Sequence, residues 1–152
     1  MAEKPKRIDH VAMAVQDLDA QIDLFKQRYG LEVAGRWHSD AEEFKGATLK
    51  FPDGGMEFEI IAPTTETSFV ARFLAERGPG LHHITFEVED THRWADHLKE
   101  KGIEPFGGVR ENGGWRETFV HPRDSQGVLY QFYQESAEHQ AREHAEHGHE
   151  HD

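Results

Sequence analysis

The stretch that decides the fold is GPGLHHITFEVED, Gly78–Asp90, which places two adjacent histidines at the start of an apolar run. Successive side chains of a β-strand point to opposite faces of a sheet, so His82 and His83 cannot share one role. His83 falls on the side of Thr85, whereas His82 falls on the side of the apolar residues that follow. The segment therefore predicts a strand that carries one imidazole on its more polar face.

A second copy of this pattern lies near the N-terminus. The segment IDHVAMAVQDLDAQIDLFKQRYGLEV carries His10 where LHHITFEVEDTHRWADHLKEKGIEP carries His83. In both copies an aspartate follows the strand and a glycine ends a helix-like segment, which is typical of an N-cap and a C′ residue. These residues are Asp17 and Gly30 in the first copy and Asp90 and Gly102 in the second. The two histidines are 73 positions apart, and Glu59 and Gln131 in the closing strands are 72 apart, which indicates a duplicated module.

Each copy continues into strand-like segments joined by a turn, ATLKF, PDGG and MEFEIIAP in the first and WRETFVHP, RDSQG and VLYQFYQ in the second. Both halves therefore read β-α-β-β-β. We predict an α+β fold with one domain over residues 7–134, made of tandem βαβββ modules at 7–63 and 81–134. A linker helix would lie within 64–80, and residues 135–152 would form a His/Glu-rich tail.

Four polar side chains occupy equivalent positions in the two predicted modules: His10, Glu59, His83 and Gln131. Modules that pair through their sheets would bring these groups together. Two imidazoles, one carboxylate and one amide oxygen suit a divalent first-row metal with open coordination positions. For any one of these residues alone, a core histidine or a solvated strand acid is the simpler interpretation, but their symmetric arrangement favours a metal site. His82 is predicted to be structural or to lie at the rim.

At this point the sequence resembles the vicinal oxygen chelate superfamily, which includes glyoxalases, extradiol dioxygenases and bleomycin-resistance proteins. Within it, the resemblance is greatest to the methylmalonyl-CoA epimerases. The segments that carry it are IDHVAMAVQDL, FEIIAP, SFVARFLAERGPGLHHITFEVED and FVHPRDSQGVLYQF. The resemblance implies a curved mixed sheet around a metal held by His10, Glu59, His83 and Gln131. The last position is usually Glu in these epimerases, so Gln131 is a departure from the family pattern.

The resemblance also implies a metal-dependent isomerase that epimerises the α-carbon of a 2-methyl-branched acyl-CoA. Cobalt, zinc, nickel, manganese or iron would stabilise the enolate as a Lewis acid. The family's base falls in DAEEFKG, on Glu43, with Glu42 as the alternative one residue away. Because an amide at Gln131 cannot act as a base, the second acid–base group is assigned to Glu59. Glu87 and a metal-bound water are the alternatives.

Other implications of the resemblance concern binding and assembly. An anionic acyl-CoA needs cations near the site, and Arg116 in GGVRENGGWRE is the predicted substrate-binding residue, with Arg72 and Arg77 as further candidates. The family is often dimeric, so a homodimer is expected.

Two other classes of protein remain open on the same fold. A set of two histidines and one carboxylate also suits an Fe(II) dioxygenase, and a glyoxalase I-type isomerisation is equally compatible. A non-enzymatic metal or drug binder is a weaker alternative, because bleomycin-resistance-like binders lack the ligand set.

The bulk composition excludes several functions. The formal net charge of −12 argues against a nucleic-acid surface, which needs clustered Lys and Arg. The chain has no cysteine, and we find no signal peptide or apolar run of membrane-spanning length. We therefore expect a cytoplasmic protein without membrane contacts.

The C-terminal segment ESAEHQAREHAEHGHEHD holds five of the twelve histidines among acidic residues. If it were helical, His139, Glu143 and His147 would align at four-residue spacing and could bind metal weakly. The composition favours a disordered, solubilising tail.

Overall fold

The computed structural model describes residues 3–136, and in that range it contains eight strands and three α-helices. The strands are β1 (Arg7–Ala14), β2 (Val33–Ser39), β3 (Phe44–Leu49), β4 (Glu57–Pro63), β5 (Gly80–Glu87), β6 (Phe106–Asn112), β7 (Trp115–Val120) and β8 (Leu129–Glu135). The helices are α1 (Leu18–Tyr29), α2 (Phe69–Arg77) and α3 (Thr91–Glu100), and a single 3₁₀ turn spans Pro122–Asp124. The predicted tandem βαβββ order is confirmed. The interpretation of His139, Glu143 and His147 concerns residues outside the described range.

The helix ends follow the capping residues identified in the sequence. The side chain of Asp17 accepts a hydrogen bond from the backbone N–H of Ala20, and Gly30 ends α1 in the left-handed conformation, with φ 70°. Asp90 caps α3 in the same way through the N–H of Arg93, and Gly102 follows that helix with φ 83°. Side-chain acceptors satisfy backbone donors that have no partner within a helix, which fixes where each helix begins.

The chain divides into two compact units, which within the described range are residues 10–82 and residues 3–9 with 83–136. In the first unit the strand order is β2-β3-β4-β1, and in the second it is β5-β8-β7-β6. In each unit the strand before the helix pairs in parallel with the last strand of the module, and the other pairs are antiparallel. None of the helices between residues 3 and 136 is long and apolar enough to cross a bilayer.

The first unit buries apolar side chains on both faces of its sheet. On one face, Leu18 of α1 packs against Ala47, Leu49 and Ile60. On the other face, Val70 of α2 packs with residues of β1, β2 and β4. These α2 contacts cover only part of that face, which also carries His10 and Glu59.

The second unit has a core on one face of its sheet. Trp94 and Leu98 of α3 pack on Val88, Val120 and Phe132. Because side chains alternate along β8, Gln131 lies on the opposite face from Phe132. The helix thus covers one face, and polar residues occupy the other.

Gly46 of β3 is required by close packing, and its replacement tests the first unit. A Cβ atom at Gly46 would lie 2.5 Å from the Trp37 ring and 2.8 Å from the backbone oxygen of Ile60. We expect Gly46→Ala to lower the free energy of unfolding by about 1–3 kcal/mol, the usual cost of overpacking, as measured by urea denaturation. Gly35→Ala on β2 is the matched control, because nothing lies within 4 Å of its Cβ position. Equal stability of the two variants would contradict this packing.

Candidate metal centre and active site

The first unit brings His10 and Glu59 together. Strands β1 and β4 are parallel with Ala12 opposite Glu59, so His10 and Glu59 lie on the same face of the sheet. The Nε2 atom of His10 is 3.5 Å from Oε1 of Glu59. Both residues are only 8% exposed. A buried carboxylate beside an imidazole is the arrangement expected of a site rather than of a solvated strand surface.

The surroundings of this pair are largely apolar. Thr48 lies opposite Glu59 on β3, and its hydroxyl accepts a hydrogen bond of 3.0 Å from the indole N–H of Trp37. Trp37 in turn packs with Ile61 and Val70. In such surroundings charges interact more strongly than in water, so a cation near Glu59 would be attracted strongly.

The second unit contains the equivalent pair, His83 and Gln131. Strands β5 and β8 are parallel with Thr85 opposite Gln131. The residue two positions after the histidine therefore faces the oxygen-bearing residue in both units, Ala12 with Glu59 and Thr85 with Gln131. The difference is the hydroxyl of Thr85, which donates to Oε1 of Gln131 at 2.7 Å.

Glu117 of β7 contacts Gln131 and has no clear signal in the sequence. Its Oε1 accepts hydrogen bonds from the side-chain amide of Gln131, at 2.8 Å, and from the indole N–H of Trp115, at 2.9 Å. Its other oxygen pairs with Arg110 at 3.0 Å. The only sequence signal is the alternation WRETF, which places an acid on one face of a strand between aromatic residues. Nothing in that pattern indicates contact with Gln131.

The donor atoms fit a divalent metal within the first unit. Two ligand atoms about 2.1 Å from one ion, at tetrahedral or octahedral angles, are separated by roughly 3.0–3.4 Å. The 3.5 Å between His10 Nε2 and Glu59 Oε1 is close to that separation. Among residues 3–136 no group of three or more His, Cys, Asp and Glu side chains is placed to hold a metal. The complete set of four ligands therefore stays a prediction.

Glu43, the predicted base, lies in the turn between β2 and β3 and has a positive φ of 59°. Its carboxylate accepts hydrogen bonds from the hydroxyls of Thr67, at 2.7 Å, and Thr65, at 2.8 Å. These two bonds stabilise the charged form and hold the pKa of Glu43 below its ordinary value. The alternative residue, Glu42, donates its backbone N–H to the hydroxyl of Ser39.

Arg116, the predicted substrate-binding residue, lies on β7 between Trp115 and Glu117. Alternation places its side chain on the opposite face from Glu117, and its Nε forms an ion pair of 2.7 Å with Glu111. Arg77, another candidate, lies over the ring of Phe73, with its guanidinium carbon 5.5 Å from the ring centroid. The CoA-binding role of these cations stays a prediction.

Glu87, an alternative for the second acid–base group, takes part in an ion-pair network. Its carboxylate pairs with Arg7 at 2.8 Å and with Lys6 at 3.7 Å. Arg7 also contacts Asp9, which accepts a hydrogen bond of 2.7 Å from the hydroxyl of Tyr133. Burial and the nearby Asp9 carboxylate raise the pKa of Tyr133, so this phenol stays neutral. Glu87 is thus held by two cations.

His82 lies among aromatic side chains. Its ring centroid is 4.9 Å from that of Phe73 and 5.5 Å from that of Phe69. Burial, together with the nearby charge of Arg77, lowers the pKa of His82 to about 4. The side chain is therefore neutral near pH 7 and contacts α2, as expected for a structural residue.

Comparison with known proteins agrees with the fold. Residues 9–119 match the Glyoxalase/Bleomycin resistance protein/Dioxygenase superfamily. The chain belongs to this family, and its tandem βαβββ fold is the one that the resemblance implied.

The individual proteins that this chain resembles belong to a narrower class than the superfamily. The chain is 37% identical over 134 residues to the ethylmalonyl-CoA/methylmalonyl-CoA epimerase of Cereibacter sphaeroides, covering 84% of this chain and 97% of that protein. It is similar to Streptomyces coelicolor methylmalonyl-CoA epimerase in complex with 2-nitronate-propionyl-CoA, with 34% identity and a TM-score of 0.76. The match covers 88% of this chain and 100% of that protein. The Mycobacterium tuberculosis methylmalonyl-CoA epimerase matches with 27% identity and a TM-score of 0.79, over 93% of this chain and 95% of that protein.

The lowered pKa of His82 predicts an acid-dependent loss of stability. Below its ordinary pKa of 6.5 the unfolded chain binds a proton at His82, whereas the folded chain does so only near pH 4. The free energy of unfolding therefore falls as the pH decreases between these values. We expect about 2 kcal/mol of this loss between pH 7.5 and 5.0 to come from His82.

Urea denaturation at the two pH values would measure this effect. His82→Phe should reduce the acid-dependent loss by about that amount, while His38→Gln, at an exposed position of β2, should leave it unchanged. An unaltered pH dependence in His82→Phe would contradict the burial of a neutral imidazole.

Proposed function

We propose that this protein is a divalent-metal-dependent epimerase that inverts the α-carbon of a 2-methyl-branched acyl-CoA. The observation that carries the proposal is the buried His10–Glu59 pair, with a 3.5 Å separation, in a chain 37% identical to an ethylmalonyl-CoA/methylmalonyl-CoA epimerase. An acyl-CoA ligand is supported by the 2-nitronate-propionyl-CoA complex of the similar Streptomyces coelicolor enzyme.

The metal ligands in this proposal are His10, Glu59, His83 and Gln131. Each unit offers one imidazole and one side-chain oxygen at the same strand register. A divalent cation bound there would polarise the thioester carbonyl and stabilise the negative charge of the enolate. Cobalt, zinc, nickel, manganese and iron all accept such nitrogen and oxygen ligands.

The chemistry of this chain's own residues is proton transfer. In one direction Glu59 accepts the α-proton, and the electron pair of the broken C–H bond forms the enolate. Glu43, which the resemblance gives as the family's base, delivers a proton to the opposite face of the α-carbon, and in the reverse direction the roles exchange. Burial supports Glu59, whereas Glu43 is assigned through the family resemblance. The hydroxyls of Thr65 and Thr67 hold the Glu43 carboxylate in place and keep it ionised, and the lowered pKa makes it a weaker base than an ordinary glutamate.

The proposal also includes binding of the CoA moiety by Arg116, assembly as a homodimer and a cytoplasmic location. Light scattering would measure the oligomeric state.

One other function stays open from the sequence. His10, His83 and Glu59 of the predicted ligand set are two histidines and one carboxylate, a combination that also suits Fe(II) oxygen chemistry. Oxygen consumption that requires Fe(II), without isotope exchange into an acyl-CoA, would identify a dioxygenase instead. A glyoxalase I-type isomerisation would appear as turnover of a glutathione hemithioacetal.

The proposal predicts metal-dependent isotope exchange. The chelator-treated protein should not exchange the α-proton of methylmalonyl-CoA in D₂O, and one of the five divalent metals should restore exchange, measured by mass spectrometry. Glu59→Gln should lower the exchange rate by about 10²–10⁴-fold, because it removes a base and a charged ligand.

Glu57→Gln is the matched control for this experiment. It removes a carboxylate two residues away on the same strand, where Glu57 pairs with Lys50 at 3.7 Å and is partly exposed. Its exchange rate should remain that of the parent protein. Absence of exchange with all five metals would contradict the proposed function.

A separate prediction concerns the role of Glu43. If two groups act on opposite faces of the carbon, Glu43→Gln should allow one epimer of methylmalonyl-CoA to exchange its α-proton while inversion is lost. Polarimetry combined with mass spectrometry would separate these two outcomes. Unchanged inversion in Glu43→Gln would show that another group, such as Glu42, acts on that face.

A further inference from the structure

We propose that Glu117 is a positioning residue that fixes the side-chain amide of Gln131 with its oxygen, rather than its nitrogen, available as a ligand. This inference rests on the proposed metal-dependent function, which it extends with a residue outside the predicted ligand set. It also explains how this chain can use an amide at a position where the family resemblance implies a glutamate.

The orientation of an amide is set by what its two ends contact. A carboxylate paired with an arginine can only accept hydrogen bonds, so Glu117 must face the NH₂ group of Gln131. The contact is 2.8 Å, from Nε2 of Gln131 to Oε1 of Glu117. At the other end the hydroxyl of Thr85 donates to Oε1 of Gln131 at 2.7 Å. The Glu117 contact fixes this orientation, and the hydroxyl of Thr85, which can donate or accept, is compatible with it.

Glu117 is itself held in place. The indole N–H of Trp115 donates to the same oxygen at 2.9 Å, and Arg110 pairs with the other oxygen at 3.0 Å. The Trp115 ring stacks on Tyr133, with centroids 4.4 Å apart and planes 10° apart. Because Tyr133 is only 3% exposed, the stack provides a rigid base for this carboxylate. The Glu117 side chain is only 18% exposed, so few water molecules can compete for its hydrogen bonds.

The orientation of the amide decides whether Gln131 can bind a cation. The carbonyl oxygen of Gln131 has two lone pairs, and Thr85 uses one, so the other remains for a cation. A flipped amide would instead present N–H donors, which cannot bind a metal. Partners that orient metal ligands typically change metal affinity by 10–100-fold when they are removed.

The test uses the full-length protein with Co²⁺ as the probe, in isothermal titration calorimetry. Glu117→Gln keeps the shape of the side chain but can offer either N–H or oxygen to Gln131, so both amide orientations become possible. We expect it to weaken Co²⁺ binding by about tenfold or more. Glu111→Gln, at an exposed position of β6, is the matched control and should bind Co²⁺ as the parent does.

Exchange of the two side chains provides the rescue. In the double variant Glu117→Gln/Gln131→Glu, the amide at position 117 donates to a carboxylate at position 131, which restores one defined orientation. Its Co²⁺ affinity should return to at least that of the parent. A double variant that binds as weakly as Glu117→Gln would overturn the inference.

A second readout does not depend on metal. In the ¹⁵N spectrum of the chelator-treated protein, the side-chain NH₂ signals of Gln131 are assigned by their loss in Gln131→Glu. They should shift in Glu117→Gln and stay unchanged in Glu111→Gln. Trp115→Phe removes one donor to Glu117 while keeping an aromatic ring, and it should produce a smaller shift. It also provides a second variant if Glu117→Gln does not fold.

The outcomes separate the two proposals. A parent protein that binds no Co²⁺ or other divalent metal would contradict the proposed function and the ligand role of Gln131 together. A parent that binds Co²⁺, with an unaffected Glu117→Gln variant, would overturn only the positioning role of Glu117.

Discussion

Parallel pairing of the first and last strands of each module is the constraint on which the site depends. The pairing is in the same register in both halves, because the residue two positions after the histidine lies opposite the oxygen-bearing residue. A slip of one residue in either pair would move that module's predicted oxygen ligand to the other face of the sheet. The register also explains where α1 and α3 lie, since the other face of each sheet is apolar and these helices cover it. Fold and site therefore depend on the same hydrogen-bond ladders.

Much of this architecture could be predicted because its signals are local or repeated. The caps at Asp17 and Asp90 and the glycines that follow the helices are short-range chemistry, and a duplicated pattern gives each assignment a second test. The assignment of Glu59 and Gln131 to equivalent positions needed only the repeat and strand alternation. No long-range contact had to be known.

The remaining features could not be predicted because they arise across strands that are not neighbours in sequence. The contact of Glu117 with Gln131 depends on the register of β7 against β8 and on the side-chain rotamers of both residues. The environment of Glu43 depends on a turn with positive φ and on threonines 22 and 24 residues away. Arg116 was assigned from its charge in a glycine-rich segment, and only the strand register shows on which face it lies.

The two modules differ in where each places its carboxylate. In the first, a small residue, Ala12, lies opposite Glu59, and the carboxylate is close to the His10 imidazole. In the second, Thr85 occupies that position, Gln131 is neutral, and the carboxylate lies one strand away at Glu117, where Arg110 balances it. The predicted ligand set contains only one charged residue, Glu59, so a divalent cation bound by this set would keep a net positive charge. That remaining charge would attract a developing enolate, whereas two carboxylate ligands would neutralise the ion and weaken the attraction. The Gln131–Glu117 arrangement therefore keeps a carboxylate in the module without adding a second negative charge to the predicted ligand set.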